Sequence, residues 1–114
     1  VAVGRSAAYN NTTGNQNVAI GRDALYSNTT GSEHVAIGYQ ALDANTTGQG
    51  NTAVGRHALG SNQTGGYNTG VGYKALENNT STNITGYGVH ALRANTSGGS
   101  NTALGAYFVE DNTT

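Results

Sequence analysis

Val18-Ala19-Ile20-Gly21-Arg22-Asp23-Ala24-Leu25-Tyr26-Ser27-Asn28-Thr29-Thr30-Gly31 is followed, after Ser32-Glu33-His34, by Val35-Ala36-Ile37-Gly38 and a second Ala-Leu pair, Ala41-Leu42. The restart sets a register that can be followed in both directions. The glycine closing each apolar-small-apolar triplet falls at Gly4, Gly21, Gly38, Gly55, Gly72, Gly88 and Gly105, at intervals of seventeen residues except for one of sixteen. A phase kept over nearly the whole chain is the signature of a stacked repeat. The consensus is G-x-x-A-L-x-x-N-T-T-G-x-x-N-T/V-A-V/I.

Each column has a physical reading. The triplets Val18-Ala19-Ile20, Val35-Ala36-Ile37, Thr52-Ala53-Val54, Thr69-Gly70-Val71, Thr85-Gly86-Tyr87 and Thr102-Ala103-Leu104 alternate in size and branching, as short strands do. Seven residues after each register glycine stands Asn11, Asn28, Asn45, Asn62, Asn79, Asn95 or Asn112, usually leading into Thr-Thr-Gly. Asn and Thr bond turn backbone through short side chains, and glycine permits positive φ or close approach, so this segment is a repeated corner. The Ala-Leu pairs are too closely bracketed by glycine and Asn-Thr-Thr to start a helix of useful length. They predict a second short strand in each unit.

The 114 residues therefore predict one all-β segment, a parallel β-solenoid or β-roll of about seven rungs of 17 residues. At the usual strand spacing, seven rungs make a rod on the order of 35 Å long. Met, Trp and Cys are absent and there is a single Phe, so the interior must be narrow. The expected core comprises Ile20, Leu25, Ile37, Leu42, Val54, Leu59, Val71, Leu76, Leu92 and Leu104. Without this phasing, so polar and glycine-rich a chain would be expected to stay disordered. Neither end reads as a cap, which predicts continuation into further repeats or a flanking domain. The sixteen-residue unit between Gly72 and Gly88 puts Thr82 in place of the corner glycine and Ile84 in a column otherwise held by Asn17, His34, Asn51, Asn68 and Asn101. It predicts a local kink or a tightened turn.

The net charge of -1 gives no broad field for nucleic acid or anionic membranes. No secretory h-region and no apolar run of membrane-spanning length is present. Without cysteine there is no disulfide or thiolate site, and His57 and His90 fall two rungs apart with His34 elsewhere in the register, so no zinc triad is expected. No catalytic elbow, zinc pair or phosphate loop occurs, and no nucleophile and base converge, so neither catalysis nor a cofactor is expected.

Three patterns remain as binding or modification candidates. The column after the register glycine, Arg5, Arg22, Tyr39, Arg56 and Tyr73, places a tyrosine between arginines and suits cation–π stacking, a strip that a glycan or polyanion could use. The column five after the glycine (Tyr9, Tyr26, Asp43, Gly60, Glu77, Arg93, Glu110) reads as a surface ion ladder, worth roughly 0 to 1 kcal/mol per exposed pair. The acceptor pattern for N-glycosylation occurs at Asn10, Asn11, Asn28, Asn45, Asn62, Asn78, Asn79, Asn83, Asn95 and Asn112, largely as a by-product of the corner chemistry. Thr12/Thr13, Thr29/Thr30, Thr46/Thr47 and Thr113/Thr114 form a regular threonine array of the sort used by ice-binding solenoids, although they adjoin a turn rather than a flat strand.

Val18-Ala19-Ile20-Gly21, Val35-Ala36-Ile37-Gly38 and above all Thr52-Ala53-Val54-Gly55-Arg56-His57-Ala58-Leu59 resemble the head repeats of YadA-like trimeric adhesins. They also resemble the Asn-Thr-Ala-x-Gly-x-x-Ala-Leu repeats of bacteriophage tail-fibre proteins. The resemblance covers nearly the whole chain. It implies a homotrimer or filament, a structural or adhesive role with a glycan or host-surface ligand, and a place outside the cell, on its surface or on a virion. It also implies that Ile20, Ile37, Val54 and Val71 fill the roll. Tyr87, Gly70 and Gly86 depart from the pattern, and the period is longer than that of the adhesin heads. A carbohydrate-binding module and an ice-binding repeat protein are the alternative functions.

Overall fold

The computed structural model describes residues 1–108. Seven strands, β1 (Ala2–Val3), β2 (Val18–Ile20), β3 (Val35–Ile37), β4 (Thr52–Val54), β5 (Thr69–Val71), β6 (Thr85–Tyr87) and β7 (Thr102–Leu104), make one sheet in sequence order. All neighbours are parallel and pair at the repeat offset, as in Ala19↔Ala36 and Ala36↔Ala53. The chain is thus an all-parallel β-solenoid, 34 Å along its longest axis, close to the length expected from strand spacing.

Among the described residues each rung contains one strand, not two. Where a second strand was expected at Ala-Leu, the chain makes two reverse turns in succession, closed in the second rung by Ala24 N–H to Gly21 C=O and Asn28 N–H to Leu25 C=O at 3.3 and 3.4 Å. Leu25, Leu42, Leu59, Leu76 and Leu92 all lie at φ between 48 and 55°, and Asp23, Gln40, His57, Lys74 and His90, two positions earlier, are also left-handed. Non-glycine residues pay of order 1–2 kcal/mol for that region. Stacking supplies the compensation. Leu25 N–H donates to Ala41 C=O, Leu42 N–H to Ala58 C=O and Leu59 N–H to Ala75 C=O, so the turns are hydrogen-bonded from rung to rung just as the strands are. The leucine side chains are buried at the same time.

The register glycines have a reason of their own. They hold φ near +130°, and a Cβ on Gly21, Gly55 or Gly72 would stand 2.5–2.6 Å from the carbonyl oxygen of the glycine one rung on. Neither the conformation nor the space admits a side chain.

The strand faces opposite to expectation. Ala19, Ala36, Ala53 and Ala103, with Gly70 and Gly86, point inward, and the larger residues on either side point out. Ile20 is 39% exposed and Leu104 is 75% exposed, while Ile37, Val54 and Val71 are half-buried. These five are therefore not core residues. The cause is crowding from the following turn and from the leucine of the preceding rung: a Cβ at Gly70 would already stand 3.2 Å from Ala75 C=O and 3.3 Å from Leu59 Cγ, and one at Gly86 3.1 Å from both Ala91 C=O and Leu76 Cγ. Only Ala or Gly fits there. The interior is a thin layer of Ala, Leu and Asn, joined by Ile84 and His34.

The sixteen-residue unit keeps strand register, pairing Thr69↔Thr85 and Val71↔Tyr87. The missing residue is taken from the corner as a tightened turn. Asn79 Nδ2 donates to Ser81 C=O at 3.0 Å, two residues on, where Asn62 Nδ2 donates to Gly65 C=O, three residues on. Ser81, not Thr82, presents the carbonyl that the corner glycine presents elsewhere.

Candidate functional site

Two sets of columns differ in chemistry, an Asn-lined corner and a charged, aromatic face. Asn28, Asn45, Asn62, Asn79 and Asn95 are fully buried. Asn28 Nδ2 donates to Asn11 Oδ1 at 2.6 Å and to Gly31 C=O at 2.9 Å, and Asn45 Nδ2 donates to Asn28 Oδ1 at 2.9 Å. Asn95 Nδ2 likewise reaches Asn79 Oδ1 at 2.9 Å and Gly98 C=O at 2.8 Å. Asn45 Oδ1 and Asn62 Oδ1 are buried without a hydrogen-bond partner, so the ladder is interrupted around Asn62.

A second inner column runs alongside. Asn17 Oδ1 accepts His34 N–H at 3.0 Å, Asn51 Oδ1 accepts Asn68 N–H at 3.0 Å, and Asn68 Oδ1 accepts Ile84 N–H at 3.0 Å. His34 imitates asparagine in this column. Its Nδ1 accepts Asn51 N–H at 3.2 Å, and the ring also bonds Gly48 backbone. Burial pushes the His34 pKa below its ordinary value. A proton on Nδ1 would have to displace the Asn51 amide.

These bonds bear on the modification sites. At Asn28, Asn45, Asn62, Asn79 and Asn95 the nitrogen that would carry a glycan is buried and already donating, so a glycan there is incompatible with the stacked fold. Asn11 is half-buried with its nitrogen on Gly14 C=O, whereas Asn10, Asn78 and Asn83 are exposed. The corner threonines divide similarly. Thr12, Thr29 and Thr46 hydroxyls donate to the backbone of the next rung at 2.9, 3.1 and 3.2 Å. That leaves Thr13, Thr30, Thr47 and Thr64 as a single exposed file rather than a flat strand face. Asn112, Thr113, Thr114, Val109 and Glu110 lie outside the described residues.

The chemically varied side is built from the columns one, two and five residues after the register glycine. It carries every Lys and Arg of the chain, together with Asp23, Asp43, Glu77, His57, His90, Tyr9, Tyr26, Tyr39, Tyr73 and Tyr107. Arg22 and Arg56 guanidinium carbons lie 5.6 and 5.5 Å from the Tyr39 ring centre, Arg56 is 5.9 Å from Tyr73, and Lys74 Nζ is 5.7 Å from Tyr73. Tyr39 packs edge-on to His57 at 5.4 Å, and Tyr73 stacks on His90 at 5.5 Å. Burial, then the Arg56 cation, holds His57 below its ordinary pKa. Arg22 to Tyr73 is thus a continuous cation–π file.

The anticipated ion ladder is present at its Glu77–Arg93 step, which joins neighbouring rungs, and its next member, Glu110, lies outside the described residues. Arg22 Nε meets Asp23 Oδ2 at 3.2 Å, and Glu77 receives Lys74 Nζ at 3.3 Å and Arg93 Nε at 3.5 Å. Asp43 makes no ion pair among the described residues. Burial raises its carboxyl to about 6, with Asp23 adding like-charge repulsion. Asp43 lines a groove of about 330 Å³ with Arg5, Ser6, Arg22, Asp23, Tyr26 and Gln40. Only Arg5 and Arg22 of this set belonged to the strip read from the sequence. No group of three His, Cys, Asp or Glu suited to a metal occurs among the described residues.

The fold and register define a parallel β-solenoid repeat protein, consistent with the broad class of solenoid adhesin and fibre repeats and with no particular family inside it. No protein-family model, curated protein or solved structure matches the chain.

Proposed function

We propose that the chain is a structural or adhesive segment of an extracellular or virion fibre, in which copies associate along the outer faces of their sheets. The carrying observation is the outward side of β2 to β6. Val18, Val35, Thr52, Thr69 and Thr85 form one column, and Ile20, Ile37, Val54, Val71 and Tyr87 form the other, all at least partly exposed. A largely apolar band running the length of a rod is the kind of surface that association covers. A homotrimer about the rod axis or a filament would cover it. The repeated scaffold is itself the function on this reading, and no catalytic step is required of it.

Sedimentation equilibrium tests the proposal. A stable trimer is expected, and Ile37→Lys, which places a charge in the middle of the band, should shift it toward monomer. A concentration-independent monomer for the unmodified chain would overturn the association.

A further inference from the structure

We propose that the groove between Tyr26 and Asp43 binds a neutral pyranose, with the Tyr26 ring supplying apolar contact and Arg22, Asp23, Gln40 and Asp43 supplying hydrogen bonds. The groove exists because a side-chain file stops. Tyr9 and Tyr26 stack in parallel on successive rungs, 5.5 Å apart and 6° from coplanar directions. The next two positions are Asp43 and the buried Gly60, whose absent Cβ leaves Asp43 Oδ1 only 3.5 Å from where that atom would be. The aromatic file therefore ends in a step, with a carboxylate at its foot and Tyr26 still 37% exposed. The volume of about 330 Å³ falls at the small end of the range for small-molecule sites.

The lining chooses the ligand chemistry. Arg5 and Arg22 are balanced by Asp23 and Asp43, so neither a net anion nor a net cation gains from the local field. Planar groups that donate (guanidinium), accept (carboxylate) and do both (the Gln40 amide) stand together, which matches vicinal hydroxyls that donate and accept at once. An aromatic ring beside them suits the apolar face of a sugar. Sugar hydroxyls donating to Asp43 would favour its charged form, so binding should lower its titration midpoint from about 6. None of the corner asparagines lines the site, and it does not depend on self-association.

The test is a titration of the whole chain, followed by amide NMR, with glucose, galactose, mannose and N-acetylglucosamine, and with glucuronate and glucosamine as charged counterparts. At least one neutral sugar should shift the Tyr26 and Asp43 resonances at millimolar concentration. Tyr26→Ala and Asp43→Asn should each weaken that binding about tenfold, and Tyr67→Ala should not. Tyr26 is partly exposed and outside the core, so its variant keeps the test decisive if Asp43→Asn perturbs folding. The proposal is overturned if no neutral sugar shifts these resonances, if either charged sugar binds about tenfold tighter, or if Tyr26→Ala retains full affinity.

Discussion

The Asn-lined corner and the Arg/Tyr side occupy the same rungs, yet one repeats almost unchanged and the other changes chemistry at nearly every step. At the corner, Asn28, Asn45, Asn62, Asn79 and Asn95 are buried and bonded to the carbonyls of their own turns. In the Arg/Tyr columns, the position after the register glycine runs Arg5, Arg22, Tyr39, Arg56, Tyr73, and its neighbour runs Ser6, Asp23, Gln40, His57, Lys74. A buried column must satisfy the same polar groups at each rung, so it admits one solution. An exposed column is limited only by its backbone and can carry recognition chemistry.

Substitutions should separate the two sides by the size of their effects. The largest belongs to the register glycine. Gly55→Ala places a Cβ 2.6 Å from Gly72 C=O at a φ of +130° and should cost several kcal/mol, about 3 or more, read as loss of a cooperative thermal transition. Next are the corner asparagines, which should not be equal. The corner carbonyl keeps a second donor in both turns, Asn17 Nδ2 on Gly31 at 3.0 Å and Asn51 Nδ2 on Gly65 at 2.8 Å, but Asn28 both donates and accepts along the ladder whereas Asn62 Oδ1 is unpartnered. Chemical denaturation should show Asn28→Ala costing about 2–3 kcal/mol and Asn62→Ala about 1 kcal/mol.

Acid should act on His34 and Asp43 with opposite sign, while His57, on the same side as Asp43, acts in the His34 direction. For His34 the folded pKa lies below the unfolded value near 6.5, so the unfolded chain binds the extra proton and stability is lost as pH falls below that value. For Asp43 the folded pKa of about 6 exceeds the ordinary 3.8, so the folded chain binds the extra proton and stability is gained as pH falls from about 6 toward 3.8. His34→Asn, which restores the residue of its column, should remove the His34 share of the acid loss and leave that of His57 together with the Asp43 gain. Asp43→Asn should remove the gain and leave the loss. Denaturation midpoints at pH values from 4 to 8 would check both, and an unchanged acid limb in His34→Asn would refute the assignment to His34. The smallest effect is expected at Arg56, where Arg56→Ala removes two exposed cation–π contacts and should cost below about 1 kcal/mol.

The parallel stack was legible in the sequence because its cause is translational. Residues that must sit above one another have to recur at one interval, and Gly21, Gly38, Gly55 or Asn28, Asn45, Asn62 did so. The position of Tyr39 between two arginines was legible for the same reason. The second strand at Ala-Leu was not, because Leu25, Leu42 and Leu59 adopt a left-handed conformation that their identity disfavours and only the neighbouring rung sustains. Nor did Val18-Ala19-Ile20 declare which side faces inward, since all three are apolar. The choice is made by Leu59 and its equivalents together with the Ala75 and Ala91 carbonyls, which occupy the room a larger inward residue would need. The Tyr26–Asp43 groove depends on side chains from three rungs and three columns, so no single column contains it.

One measurement addresses the stacked register most directly. Nuclear Overhauser contacts should join residues seventeen apart through the first five rungs, such as Ala19 with Ala36 and Ala36 with Ala53, and then sixteen apart at Thr69 with Thr85 before returning to seventeen at Thr85 with Thr102. A chain showing only short-range contacts, or strand contacts in an antiparallel pattern, would contradict the β-solenoid and every assignment that rests on its columns.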